Sequence, residues 1–318
     1  MSDKRVVVIA GPTASGKTAL GIAAAQALHS EIVSADSMQV YRGMDIGTAK
    51  AGAAEQKAAK HYMIDVAEPR ENYSVARYVK EASLCCDRLL SEGKTPVIVG
   101  GTGLYIDSLL AGRDFGRQEE DETLRKRLNE DYEREGGEKL LEKLRSFDPE
   151  RAALLHPADR KRIIRAMEVY YLSGETITEH DRKTREMPPR YEAMVLIPGF
   201  RDRALLYERI DRRVEEMVQR GLFDEVKRLL DAGISTETTA MQAIGYKEAI
   251  EAVNGIISRE EAVTRIQMAS RRYAKRQLTW FSGRKDALRL YHDDPGGTEQ
   301  LTKEALQEIR RWVYDDCR

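Results

Sequence analysis

The chain has 318 residues, 42% hydrophobic and 33% charged, with a net charge of −1, so it can bury a core in one large domain or two ordinary ones. That balance excludes a polycation; a nucleic-acid surface would have to come from local clustering of charge. No run of eighteen apolar residues offers a membrane span, the first strand starts too early to leave room for a signal peptide, and Cys85, Cys86 and Cys317 have neither disulfide nor zinc spacing, so a cytoplasmic protein with reduced thiols is expected.

Val6 to Ala10 is an apolar run that reads as a buried strand, and Ala19 to Leu28 is an alanine-rich segment that reads as a helix. Between them, Gly11-Pro12-Thr13-Ala14-Ser15-Gly16-Lys17-Thr18 fits the phosphate-binding pattern G-x-x-x-x-G-K-[ST] at every fixed position. Strand, glycine loop and helix together place backbone N–H groups and a positive helix end around phosphates. Lys17 is expected to reach the terminal phosphates and Thr18 to put its hydroxyl on Mg²⁺. The loop by itself leaves open whether the ligand is a nucleoside triphosphate such as ATP.

Glu31 to Asp36 and His61 to Val66 read as further strands, Val75 to Leu90 as a helix with one apolar face, and Pro96 to Val99 as a strand ending in Gly100-Gly101-Thr102-Gly103. Apolar strands alternating with helices predict an α/β fold with a parallel sheet covered on both faces, of the kind found in P-loop NTPases. Ligands then belong at the carboxyl ends of the strands, where Gly11, Asp36 and Gly100 fall. Asp36 has three readings: a carboxylate on Mg²⁺, a general base, or a cap for the turn that follows. The loop Ser37-Met38-Gln39-Val40-Tyr41-Arg42 offers an amide, an aromatic ring and a guanidinium suited to reading a base edge.

The pattern changes near Gly112. From Glu119 to about Ser173 the chain is charge-rich and helical in period, with Leu124, Leu128, Leu140, Leu141 and Leu144 as apolar faces and a break at Phe147-Asp148-Pro149. A strand returns at Ala193 to Ile197. Residues 115–190 therefore read as a helical insertion into a core made of 1–114 and 191–318. Helices follow at about 202–219, 221–231 and 258–277, then a strand Leu288 to Tyr291 and a helix near 299–313. Val214, Met217 and Val218, with Leu222, Val226, Leu229 and Leu230, read as core, and the five histidines show no ligand spacing. Residues 264–285 carry Arg265, Arg271, Arg272, Lys275, Arg276, Arg284 and Lys285 without an acidic residue, interleaved with Tyr273, Gln277 and Trp280. Such a segment suits an RNA loop with unstacked bases. Arg160, Lys161, Arg162 and Arg165 form a second basic cluster, in the insertion.

Together, Gly11 to Thr18, Asp36-Ser37-Met38-Gln39-Val40-Tyr41, Gly100-Gly101-Thr102-Gly103-Leu104-Tyr105, Arg162-Ile163-Ile164-Arg165-Ala166, Gln242-Ala243-Ile244-Gly245-Tyr246 and Lys275-Arg276-Gln277-Leu278-Thr279-Trp280-Phe281 resemble the bacterial tRNA dimethylallyltransferase family, over residues 5 to about 285. The resemblance implies transfer of a dimethylallyl group from dimethylallyl diphosphate to N6 of the adenine at tRNA position 37, with Mg²⁺. It implies that Gly11, Thr13, Ala14, Ser15, Gly16, Lys17 and Thr18 hold the diphosphate, and that Asp36, Thr13, Lys17 and Arg125 are catalytic. Contacts to the anticodon stem-loop are implied for Asp36, Ser37, Met38, Gln39, Thr102, Arg125, Lys161, Arg162, Arg165, Gln242, Gly245, Tyr246, Lys275, Arg276, Gln277 and Trp280. The zinc finger of the eukaryotic members has no counterpart in the spacing here, and nothing requires more than a monomer. The P-loop alone would also suit a small-molecule or nucleotide kinase, or an NTP-gated RNA-binding module.

Overall fold

The computed structural model describes residues 4–113 and 121–314; Cys317, Glu119 and the expected boundary at 114–115 lie outside the described residues. In chain order the elements are β1 (Arg5–Ala10), α1 (Lys17–Ala27), β2 (Ile32–Ala35), α2 (Ala53–Ala58), β3 (His61–Tyr62), α3 (Val75–Ser91), β4 (Val97–Gly100) and α4 (Gly103–Ala111). Next come α5 (Glu122–Glu135), α6 (Gly137–Arg145), α7 (Pro149–Ala153), α8 (Arg160–Ser173) and α9 (Ile177–Glu186). The chain then continues through β5 (Glu192–Gly199), α10 (Arg203–Gln219), α11 (Leu222–Asp231), α12 (Tyr246–Val253), α13 (Arg259–Ser282), β6 (Leu288–Tyr291) and α14 (Gly297–Tyr314). No helix among the described residues is long and apolar enough to cross a membrane.

The six strands form one parallel sheet in the order β3-β2-β4-β1-β5-β6, so the α/β expectation holds. β1 lies between β4, with Ile9 opposite Val99, and β5, with Ile9 opposite Leu196. The chain leaves β1 for β2 on one side and later reaches β5 on the other, which opens a crevice beyond the carboxyl ends of β1 and β4. One sheet face packs Val7, Ile9, Val97 and Leu196 against Leu20 and Ala24 of α1 and Leu301, Ala305 and Ile309 of α14. Toward α3 and α4, Tyr78 stacks on Tyr105 at 4.1 Å and donates its hydroxyl to the Ser34 carbonyl at 3.0 Å. At the end of β4, Gly100 lies so close to the Ala35 carbonyl that a Cβ there would collide with backbone.

The expected third strand is shorter than its sequence pattern. Pairing stops after Tyr62, because Met63 and Asp65 take φ of 63° and 55°, which a strand cannot continue through. Asp65 there accepts the Lys50 ammonium at 2.6 Å, and Ala67 bridges to Tyr41 instead. α13 runs five residues beyond the expected end, carrying Trp280 and Phe281 inside the helix. α4 and α12, only nine and eight residues long, are further helices that the sequence reading does not include.

Two compact units result: residues 1–112 with 190–318, and 113–189. The first is the α/β unit. Arg190 rejoins it by donating its N–H to the Leu110 carbonyl at 2.9 Å, while the Tyr191 hydroxyl donates to Asp87 at 2.7 Å. The second unit is helical, and Leu124, Leu128, Leu140, Leu141 and Leu144 pack with Ile163, Ile164 and Met167 in its core. Its sequence break is a built corner, in which buried Asp148 caps α7 through Arg151 and accepts the Thr178 hydroxyl at 2.6 Å.

Candidate active site

Because β1 runs parallel to β2 and β4, its glycine loop emerges beside Asp36, just past β2, and Gly101, just past β4. Gly16 takes φ of 81° and caps α1, and even Ala14 is left-handed at 62°. Strain of this kind is kept where surrounding contacts over-determine the backbone, and here two clips do so. The Gln277 side chain accepts the Thr13 N–H at 2.9 Å and donates to the Gly101 carbonyl at 2.9 Å. His292 places Nε2 2.9 Å from the Ser15 carbonyl and Nδ1 2.9 Å from the Thr298 hydroxyl, with its ring so near Gly16 that a Cβ there would press on it. Burial holds the His292 imidazole below its ordinary range, suiting a neutral clip.

These segments line a cavity of about 780 Å³ in the α/β unit, within the usual range for ligand sites. One part of its lining is Thr13 to Thr18, another is Asp36 to Gln39 with Gly47 to Lys50. α10 adds Arg209, Arg212 and Arg213 with the apolar Ile210, Val214 and Met217, and α13 adds Tyr273, Arg276 and Gln277. The free N–H groups at the start of α1 and these cations make the cavity an anion site. An ion, a diphosphate and an apolar chain all find complementary lining.

Lys17 donates to the Pro12 carbonyl. Desolvation, followed by repulsion from Arg213, pushes its ammonium down to about 7, with Asp36 opposing. Burial likewise lowers the Arg213 guanidinium, which the Asp36 charge partly restores. Burial raises the Tyr273 phenol to about 12, and the Asp36 charge adds to it. Asp36 Oδ1 accepts the N–H groups of Met38 at 2.9 Å and Gln39 at 3.3 Å, so the turn cap foreseen for it is present. Oδ2 has no hydrogen-bond partner among the described residues, which leaves one carboxylate oxygen for chemistry.

Several residues expected to touch RNA are committed elsewhere. Tyr246 is fully buried and donates its hydroxyl to Glu225 at 2.6 Å, so it cannot present itself to a partner. Both amide atoms of Gln277 are used in the clip above. The Gln39 amide donates to the carbonyls of Thr48 and Ala49, both at 3.3 Å, and accepts the Ser34 hydroxyl. The Thr102 hydroxyl accepts the Ser37 N–H at 3.1 Å, tying the two strand ends together. These residues shape the site. Gln242 and Gly245 do line the cavity, as do Ser37 and Met38.

The basic segment is thinner than its sequence suggests. Arg271 is held by both oxygens of Asp211, Arg265 by Glu251 and Glu261, and Arg284 by Asp107. Arg272, Lys275 and Arg276 stay exposed on α13 with no ion-pair partner among the described residues; Arg276 lies over the Tyr273 ring at 5.4 Å. Trp280 is 47% exposed, with one face on Gly103 and its Nε1–H donated to Asp107 at 2.7 Å. In the helical unit, Arg125 and Arg165 share the buried Glu168 carboxylate at 3.0 and 2.8 Å, while Arg162 and Lys161 are exposed. Burial would raise the Glu168 carboxyl, but the two guanidiniums outweigh it and hold it below its usual range. The placing of Arg125 at a diphosphate thus rests on the resemblance alone.

Sequence reasoning missed Arg209, Arg212 and Arg213, and it read Val214 and Met217 as core. Val214 is indeed buried, yet both line the cavity. The available signal was the basic run Arg212-Arg213 on an amphipathic helix, which by pattern alone reads as a solvated face.

Among the described residues, no group of three or more His, Cys, Asp or Glu side chains could hold a metal. The Thr18 hydroxyl in this cavity fits a hard cation that takes its other ligands from phosphate and water, as Mg²⁺ does, which leaves the free Asp36 oxygen to the reaction.

The IPP transferase family profile matches residues 39–286. A tRNA dimethylallyltransferase of Thermoanaerobacter sp. (strain X514) is 44% identical over 306 residues, covering 96% of this chain and 97% of that one. One from Bacillus velezensis is 44% identical, covering 97% and 98%. The crystal structure of a tRNA isopentenylpyrophosphate transferase from Bacillus halodurans superposes with a TM-score of 0.70 at 36% identity, covering 98% of this chain and all of that one. A eukaryotic dimethylallyltransferase solved acting on tRNA gives 0.83 at 27% identity, covering 98% and 80%. Matched by the family profile over most of its length and 44% identical to the first two of these enzymes over 96–97% of it, the chain belongs to the IPP transferase family.

Proposed function

We propose that this protein transfers a dimethylallyl group from dimethylallyl diphosphate to N6 of the adenine at position 37 of tRNA, releasing diphosphate. The observation that carries the reading is the juxtaposition of an anion nest and a carboxylate with one free oxygen in a single cavity. The donor's diphosphate lies in the nest of residues 11–18, with the Lys17 ammonium on its oxygens, while Ile210, Val214 and Met217 offer an apolar lining for the prenyl chain. The adenine amine is a weak nucleophile because its lone pair is delocalised into the ring. Asp36 takes its proton as N6 bonds to C1 of the allyl group, and the C1–O bond breaks with its electron pair leaving on diphosphate. The loop N–H groups, Lys17 and Arg213 stabilise that charge as it develops. Thr18 would hold Mg²⁺, which would supply further neutralisation of the leaving group when bound. The target base must leave its stack to reach the cavity.

The RNA surface we assign on the α/β unit is Arg272, Lys275, Arg276 and the open face of Trp280 on α13; the helical unit, taken by itself, exposes Lys161 and Arg162 as a second set of RNA contacts. Replacing Arg276 by Ala should weaken binding of an anticodon stem-loop and reduce its salt slope by about one counterion. Replacing the paired Arg271 should leave that slope unchanged. Equal slopes for wild type and R276A would remove Arg276 from the RNA surface.

The reading is tested by incubating the protein with dimethylallyl diphosphate, Mg²⁺ and an unmodified anticodon stem-loop, and weighing the RNA. The expected result is one added dimethylallyl group on the adenine. ATP consumption without a mass gain would favour a kinase and overturn the proposal.

A further inference from the structure

Glu225 is a carboxylate on α11 that is 1% exposed and lies outside the cavity, and the reaction above makes no use of it. Its Oε2 accepts the N–H groups of Asp45 at 2.9 Å and Ile46 at 2.8 Å. Its Oε1 accepts the Gly47 N–H at 3.1 Å and the Tyr246 hydroxyl at 2.6 Å. Three successive backbone N–H groups converging on one anion make a nest that the protein fills from within. The segment so held runs directly into Gly47, Thr48, Ala49 and Lys50, which line the cavity. The Thr48 and Ala49 carbonyls in turn accept from Gln39, three residues after Asp36.

We propose that Glu225 is a positioning residue that presets the loop 45–50, and through it the Gln39 wall, for the acceptor nucleotide. The inference rests on the transfer reaction proposed above. The acceptor is singled out because the donor's loop is fixed separately, by Gln277 and His292, whereas loop 45–50 shares its hydrogen bonds with the segment that carries the base. A carboxylate is needed because it only accepts. A glutamine can keep its oxygen on Asp45 and Ile46 and donate to the Tyr246 oxygen, but then the Gly47 N–H loses its carboxylate acceptor and keeps only the Tyr246 oxygen.

The test is Glu225→Gln in the full chain, with the stem-loop and dimethylallyl diphosphate as probes. Loss of one buried hydrogen bond to a charged acceptor corresponds to about a tenfold change, so the stem-loop Kd and KM should rise about tenfold while the donor KM and kcat stay within about twofold. Amide exchange at Asp45 to Gly47 should quicken while that of β1 and β4 does not. Tyr246→Phe, which removes one of the two donors that hold Oε1, should show the same split at about threefold. A lower Tm with unchanged stem-loop Kd and KM would make Glu225 purely structural and overturn the proposal. If E225Q fails to fold, an unchanged stem-loop Kd in Y246F overturns it equally. Kd and exchange need no turnover, so failure of wild-type transfer would sink the functional reading without obscuring this one.

Discussion

Asp36→Asn should lower single-turnover transfer about 10²- to 10⁴-fold, the contribution of a positioned general base. Binding of the stem-loop should be unchanged. The separation follows from the two carboxylate oxygens. Asparagine keeps an oxygen that can accept the Met38 and Gln39 N–H groups, so the turn and the loop after β2 keep their shape. What it loses is the free oxygen that takes the N6 proton. The charge goes as well, and Asp36 is the group that supports protonation of Lys17. Donor binding in D36N should therefore show its pH dependence at lower pH than in wild type. Rates measured with dimethylallyl diphosphate and Mg²⁺, beside filter binding of the RNA, check both parts. Transfer within a few-fold of wild type would remove Asp36 as the base.

Lys17→Met should cost about 10²- to 10³-fold in kcat/KM for the donor, the cost of deleting a group aimed at developing charge. The lysine also makes donor binding depend on pH. In the free protein its ammonium is pushed down to about 7, so above that pH it is mostly neutral. A diphosphate favours the charged form, so binding above pH 7 takes up a proton, while below it the lysine is already charged. Donor affinity therefore falls as pH rises above about 7, by at most about tenfold per unit. The diphosphate's own ionisation also contributes, so the informative quantity is the difference between wild type and K17M. Calorimetry at about pH 8 in two buffers of different ionisation enthalpy should show greater proton uptake by wild type. Equal uptake would mean that Lys17 stays charged without ligand.

Much of this site could be read along the chain, because its chemistry sits in contiguous runs. Residues 11–18 combine strand, loop and helix in one stretch, and a parallel sheet puts the ends of β1, β2 and β4 on one side whatever the details of packing. Asp36 and Gly100 were placed at the site by that argument. The strand expected over His61 to Val66 stops short because periodicity does not register a left-handed backbone at Met63 and Asp65, where the Asp65 side chain accepts Lys50 from elsewhere in the chain.

The basic segment shows the limit most clearly. Read linearly, residues 264–285 hold seven cations and no anion; folded, Asp211, Glu251, Glu261 and Asp107 neutralise three of them. Tyr246 and Gln277 stand in motifs that resemble a family's, yet one anchors a buried carboxylate and the other clips two loops. A motif records that a residue type is needed, not whether it faces ligand or core. The sequence by itself determined the sheet, the phosphate loop and the carboxylate beside it, since these depend on local pattern and strand direction. Only the tertiary structure decided which cations remain unpaired, that α10 lines the cavity with Arg213, and that Glu225 holds the loop opposite it in sequence by some 180 residues. Those outcomes depend on charges and hydrogen-bond partners far apart in the chain, and no local pattern encodes such a pairing.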